Sequence, residues 1–148
     1  MQNDTIKISK QLLHQAELMG GNSEYAKAIT KLNEAINHLV YFSPPEEQQH
    51  EKISLLHQCF FDAGRYHSEL KHFATAIENF ITAKLFAVSK DNTDQLDRWI
   101  DGSLDEYEFL IQEPATKDIA LSELDELQDK LFKNNIPVLP RIEKLLKQ

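Results

Sequence analysis

The stretch FATAIENFITA, at positions 73–83, places small and large apolar side chains alternately along one helical face. Its apolar residues recur every three or four positions, which is the period of an α-helix that buries one side; they are Phe73, Ala76, Ile77, Phe80 and Ala83. The alanines let a neighbouring helix approach closely, and the larger side chains fill the remaining volume. The stretch therefore predicts the second helix of a packed helical hairpin.

Apolar stripes with the same period run along most of the chain. They predict helices over residues 4–19, 45–69, 72–88 and 117–133, with further helices from Tyr25, from Asn92 and near the C-terminus. The 148 residues contain only 4 Gly and 5 Pro, and strand-like alternation of apolar and polar residues is missing. We therefore predict an all-α fold.

Short polar and glycine-containing stretches predict where these helices begin and end. Gly20-Gly21 should close the first helix and Asn22 or Ser23 should cap the second. Ser43 with Glu46, and Asn92 with Gln95, have the spacing of capping boxes. Gly102-Ser103 leaves open whether the helix after Asn92 is one bent helix or two short ones.

The small–large pattern occurs three times. The stretches YAKAITKLNEAI (25–36), FATAIENFITAK (73–84) and TKDIALSELDEL (116–127) each contain a small residue, an aliphatic residue and two further apolar residues at intervals of three. This pattern resembles the second helix of a tetratricopeptide repeat. The middle copy matches best, since Phe60, Ala63, Gly64 and Phe73 stand where the family expects bulky, apolar, small and aromatic residues.

The resemblance implies a single helical-repeat domain of about three stacked antiparallel hairpins. Its repeats would cover residues 4–42, 44–89 and 92–133, followed by a capping helix at 138–147. The spacing is longer than the family period of about 34 residues, so the helices or turns must be extended. An ordinary irregular helical bundle is the alternative.

In tetratricopeptide proteins the first helices of the hairpins line a concave groove that binds partners. The resemblance places eleven residues of this chain in such a groove: Lys10, Leu13, Glu17, Gln58, Phe61, Asp62, Arg65, Glu69, Asp105, Glu106 and Phe109. Phe61, Leu13 and Phe109 would anchor a peptide, and the acidic residues would steer it. Because Phe60 and Phe61 cannot both face one stripe, Phe61 is either partly exposed or in contact with a neighbouring helix or a dimer mate.

Some members of the family clamp a C-terminal carboxylate with Lys and Asn. Here the matching positions hold Leu13, Glu17 and Asp62, so the resemblance does not imply binding to chaperone tails. A groove with acidic residues and apolar anchors suits a basic or amphipathic protein segment.

Composition limits the partners further. The net charge of −8 disfavours nucleic acid and anionic membrane surfaces. Cys59 is the only cysteine, so an intrachain disulfide is excluded, and we expect a buried, inert thiol. The N-terminal sequence does not resemble a signal peptide, and no apolar run approaches a membrane span. We expect a cytoplasmic protein.

Residue patterns typical of chemistry are weak. His67 and His72 lie five positions apart, a poor chelating interval on one helix, and HExxH, phosphate-loop and Gly-x-Ser-x-Gly patterns are missing. We expect no metal, no cofactor and no enzymatic activity. Trp99, the only tryptophan, is expected to pack in the core.

The sequence leaves three functions open. The first is a non-catalytic protein-binding module, such as an adaptor or a secretion-type chaperone. The second is a structural or assembly subunit that acts through oligomerisation, including a homodimer. The third is an antitoxin-like or immunity-type neutraliser.

Overall fold

A computed structural model of the chain describes residues 2–137 and 139–148. Over these residues the chain forms seven helices and no strand, so the all-α prediction is confirmed. The helices are α1 (Gln2–Gly21), α2 (Tyr25–Val40), α3 (Glu46–Glu69), α4 (Phe73–Leu85), α5 (Lys90–Gln112), α6 (Lys117–Lys133) and α7 (Pro140–Leu146).

Consecutive helices pair into hairpins that pack against one another. Helix α1 packs on α2, α3 on α4, and α5 on α6. The hairpins join through contacts of α2 with α3 and of α4 with α5, and α1 also contacts α3. The predicted stack of helical hairpins is therefore present.

The small–large pattern lies at the centre of this packing. Ala76, Phe80 and Ala83 are fully buried, as are Ala28 and Leu32 in the first copy. The core has one cluster built from α1–α3 and another built from α4–α7, and both include Phe60 at their edges. The alternation of small and large residues thus identifies the buried faces correctly.

The first two hairpins share one turn geometry. The backbone N–H of Glu24 donates to Met19 O and that of His72 donates to His67 O, each at 2.8 Å. This is the bond that closes a helix when the preceding residue is left-handed. Because Glu24 and His72 are 48 positions apart, as are Ala28 and Ala76, the first two hairpins repeat at this interval.

The residues that make these turns differ from those predicted. Gly20 and Gly21 belong to α1, and the left-handed residues are Ser23 (φ 62°) and Lys71 (φ 63°). Gly20 instead provides space, because a Cβ atom there would lie 2.5 Å from the Tyr66 hydroxyl oxygen. The sequence of the α3–α4 turn contains no Gly or Pro, yet the turn forms between the two helices that the apolar period predicted.

The predicted caps are wrong at three helix starts. Helix α2 follows Glu24 and α3 follows Pro45, in both cases without a side-chain cap bond. Helix α5 begins at Lys90, where Ser89 Oγ accepts from the Asn92 N–H at 3.2 Å. Helix α5 continues through Gly102, so the segment after Asn92 forms one helix and not two short ones.

The C-terminal helix packs on its own chain. The predicted range was 138–147, of which residue 138 lies outside the described residues, and the helix observed is α7. Ile142 and Leu145 are buried in the α4–α7 cluster. Arg141 donates to Asp101 O at 3.0 Å and to Glu108 Oε2 at 3.1 Å, and it pairs with Asp105.

Candidate functional site

A groove runs across the faces of α1, α3 and α5. It consists of two adjoining pockets of about 390 and 440 Å³, and both are lined by Glu69 and Trp99. The smaller pocket is completed by residues of α1, the start of α2 and α3, namely Glu17, Gly20, Gly21, Tyr25, Arg65 and Tyr66. The larger pocket is completed by the end of α3, the α3–α4 turn, the start of α4 and α5, through Ser68, Lys71, Phe73, Arg98, Gly102, Ser103 and Glu106. We call this combined surface the Trp99 groove.

Trp99 lies between the two pockets. Its ring centroid is 5.7 Å from that of Phe80 and 6.0 Å from that of Phe61, while 38% of the residue stays exposed. The expectation that Trp99 is a core residue is therefore wrong in part. One part of the indole is held by aromatic packing, and the exposed part faces the groove, which is how aromatic residues act as interface anchors.

Phe61 packs against the Trp99 ring and does not protrude into the groove. It is half-buried, its ring lies 6.1 Å from Phe80, and the Arg65 guanidinium carbon lies 5.4 Å from its centroid. The predicted alternative, contact with a neighbouring helix, is the one the structure shows. Phe61 therefore packs against Trp99 and lines neither pocket of the groove.

Asp62 was predicted to be a steering charge, and this is wrong because the residue is buried, with 3% exposure. Its Oδ1 accepts hydrogen bonds from Gln58 Nε2 and Arg65 Nη2, both at 2.9 Å. Burial raises the pKa of the Asp62 carboxyl, and the charge and hydrogen bond of Arg65 oppose that rise. Asp62 thus holds Arg65 in place at the floor of the groove.

The charges that line the groove have both signs. Glu17, Glu69 and Glu106 provide carboxylates, and the basic residues are Arg65, Arg98 and Lys71. In the smaller pocket Arg65 is paired with Asp62, whereas Glu17 and Glu69 form no ion pair with any residue that the structure describes. The end of the groove near α1 is therefore acidic, whereas the end near α5 is mixed.

Two polar atoms at the groove lack partners. Ser68 Oγ and Arg65 Nε are buried and make no hydrogen bond to any residue that the structure describes. Both residues line a pocket of the Trp99 groove. Because both atoms are inaccessible, they are unsatisfied polar groups within the groove wall and not free positions for a ligand.

The structure brings together four of the eleven predicted groove residues, and the rest lie elsewhere. Glu17, Arg65, Glu69 and Glu106 line the Trp99 groove. The others are placed as follows: Gln58, Phe61 and Asp62 behind its floor, Leu13 against the first core cluster, Lys10 in an ion pair with Glu51, Asp105 against Arg141, and Phe109 exposed outside both pockets.

The two histidines lie on different elements, so the interval of five on one helix does not describe their separation. His67 is in the last turn of α3, and His72 directly precedes α4. The reversal at Lys71 brings their Nδ1 atoms within 3.4 Å. Burial, together with the neighbouring His72, lowers the pKa of His67, so its ring is neutral at pH 7.

The described residues contain no group of three or more His, Cys, Asp or Glu side chains placed to hold a metal ion. Among the same residues, no helix is both long enough and apolar enough to cross a bilayer. Comparisons with protein-family models, curated proteins and solved structures found no match.

Proposed function

We propose that the chain is a non-catalytic protein-binding module whose Trp99 groove holds an amphipathic segment of a partner protein. The observation that carries this proposal is Trp99 itself, a partly exposed indole seated between two pockets and backed by Phe61 and Phe80. Large aromatic side chains held rigidly in this way contribute binding energy at little cost in conformational entropy. An apolar side chain of the partner would pack on the exposed part of the indole.

The charges indicate which residues flank that apolar side chain. Glu17 and Glu69 make the end near α1 acidic, and the whole chain carries a net charge of −8. A Lys or Arg of the partner would therefore lie near these two carboxylates and be drawn toward them during association. The partner segment is basic at this end and apolar over Trp99.

The stack of hairpins supports a tetratricopeptide-like repeat as the scaffold. The first two hairpins repeat at 48 residues in both turn geometry and buried alanines, and the groove lies on the first helices α1, α3 and α5. Such hairpins hold a preformed surface, which reduces the ordering cost of binding. An adaptor or a secretion-type chaperone would use such a surface.

The test is a selection of binding peptides from a random display library, followed by titration of the synthetic peptides. Since Trp99 is the only tryptophan, its fluorescence reports directly on occupancy of the groove. Selected peptides should place Lys or Arg beside an aliphatic or aromatic residue. Trp99→Ala, which lacks the fluorescent reporter and is therefore titrated by calorimetry, should bind them about 2 kcal/mol or more weakly, as at hot spots.

The matched control is Phe132→Ala, which removes an exposed aromatic residue of α6 away from both pockets. Binding should be unchanged in this variant. Charge reversal at Glu17 and Glu69 should weaken the binding of basic peptides and abolish the salt dependence of that binding. Peptides that bind Trp99→Ala as tightly as the wild type would overturn the assignment.

A second candidate function is that of an assembly subunit. Large apolar residues of the last hairpin are exposed, namely Phe109, Ile119 and Phe132. Light scattering over a concentration series tests this function: a dimer that Ile119→Glu with Phe132→Glu dissociates would support it, and a monomer at all concentrations would exclude self-assembly.

A further inference from the structure

We propose that His67 and His72 form a chelating pair for a divalent transition-metal ion such as Zn²⁺ at the α3–α4 turn. Their Nδ1 atoms are 3.4 Å apart. Two imidazole nitrogens bound to zinc at about 2.0–2.1 Å, at the tetrahedral angle, lie about 3.3–3.4 Å from each other. The two nitrogens are therefore already separated by the distance that a shared metal ion requires.

The turn fixes this separation through the backbone. Helix α3 ends at Glu69, Lys71 adopts φ 63°, and the His72 N–H donates to His67 O at 2.8 Å. A hydrogen bond between the two histidines' own backbones holds their Cα atoms in place. Only small rotations of two side chains are then needed to bind an ion, so little conformational entropy is lost.

Without metal, the two histidine rings are accessible to solvent and are joined to each other only by a weak hydrogen bond. His72 is exposed and His67 is half-buried, so an ion can reach both rings from solvent. A separation of 3.4 Å exceeds the about 2.9–3.0 Å of a good hydrogen bond to nitrogen or oxygen. The ion would replace the weak N–H···N contact: the ring that carries its proton on Nδ1 would change to the Nε2–H tautomer, so both rings stay neutral and no net proton is released.

The donor set defines the class of ion. Imidazole nitrogen suits Zn²⁺, Cu²⁺ and Ni²⁺, whereas Mg²⁺ and Ca²⁺ select oxygen ligands. Since the described residues offer no third His, Cys, Asp or Glu ligand at this place, water fills the remaining positions. The affinity should follow the order Cu²⁺ above Zn²⁺ and should be lower than that of a four-ligand structural site.

The experiment titrates the tag-free 148-residue chain with Zn²⁺, using calorimetry and thermal unfolding, and a parallel titration with Mg²⁺ is the negative control. Zn²⁺ should raise Tm, because an ion that binds only the folded chain stabilises it by mass action. His67→Gln and His72→Gln should each lose most of this shift. His50→Gln, which changes an exposed histidine of the same helix α3, should keep the full shift.

A second measurement on the unaltered protein keeps the test decisive even if a variant unfolds. The chain has six histidines, whose ring protons can be followed by NMR. Zn²⁺ should shift the ring signals of His67 and His72 and leave the other four in place. Equal zinc effects in the wild type and the His67→Gln/His72→Gln double variant, or shifts spread over the other histidines, would overturn the proposal.

Discussion

Gly64 of α3 lies so close to the Phe80 ring of α4 that no side chain fits between them. A Cβ atom added at Gly64 would lie 2.6 Å from Phe80 Cδ1, whereas Phe80 itself is fully buried. The space left by the absent side chain of Gly64 is thus occupied by the Phe80 ring. This contact explains why a large residue stands at position 80 of the stretch 73–83.

Replacing Gly64 by Ala should destabilise the protein even though Ala is the better helix former. The added methyl group forces Phe80 from its position, and overpacking of this kind costs about 1–3 kcal/mol. Gly102→Ala is the matched control, since Gly102 is also inside a helix but has nothing within 4 Å of an added Cβ. The free energy of unfolding of Gly102→Ala should be higher than that of the wild type by about 0.5–1 kcal/mol.

Urea unfolding of both variants measures the difference in free energy of unfolding. Opposite signs for Gly64→Ala and Gly102→Ala are expected. A neutral or stabilising Gly64→Ala would show that α3 and α4 can separate freely, and the close-packed hairpin would then be the wrong description.

The apolar period predicted the helices well because periodicity is a local property of the chain. It placed α6 at its observed limits and α3 within one residue of them. The predicted caps failed because α2 and α3 begin without any side-chain cap bond, and because more than one residue near the start of α5 can accept an N–H. Ser89 rather than Asn92 is selected at α5, although only the latter has the capping-box partner three positions later.

The stability contributed by Asp62 should fall as the pH rises. Burial raises the pKa of this carboxyl above its value in the unfolded chain, despite the opposing charge of Arg65. Between the two pKa values the folded chain binds more protons, so its stability falls with increasing pH. The contribution is full below the unfolded pKa of about 3.9 and is lost through the higher folded pKa.

Asp62→Asn keeps the shape and the acceptor for Gln58 and removes this titration. Its free energy of unfolding relative to the wild type should therefore rise between pH 4 and neutrality. Urea unfolding at a series of pH values provides the measurement. A difference that is constant with pH, or that shifts in favour of the wild type, would contradict the raised pKa.

Arg141 should hold α7 against α5. Its guanidinium contacts Asp101, Asp105 and Glu108, and its side chain is about 29% exposed. Because the carboxylates are solvated, Arg141→Ala should cost only about 1 kcal/mol, and less at high salt. The loss should be concentrated in faster amide hydrogen exchange of residues 141–146.

Lys144→Ala on the same helix is the control for Arg141→Ala, and it should leave the exchange of α7 unchanged. Equal acceleration in both variants would indicate that α7 frays from loss of charge in general. The stability of α7 would then not depend on the contacts of Arg141 with α5.

The Trp99 groove could be predicted only in part, since a helical stripe does not specify how deeply its edges are buried. On α5 the positions Leu96, Ile100 and Leu104 already form the buried stripe, and Trp99 lies beside it. That flanking position is the signal that would have indicated a half-exposed ring. The burial of Asp62 could not be predicted in this way, because it depends on tertiary contacts across α3, although its spacing of three from Arg65 indicates the ion pair.

Cys59 should be unreactive in the folded protein. It is buried in the α1–α3 cluster, and burial, followed by the charge of Asp62, raises the pKa of its thiol to about 12. Since the thiolate is the reactive form, a disulfide reagent at pH 8 should label it only when the chain opens. Labelling should follow the unfolding rate in water and become immediate in concentrated guanidinium. Fast, stoichiometric labelling of the native protein would show that α3 exposes its buried face, and the packing of α3 against α1 and α2 would need revision.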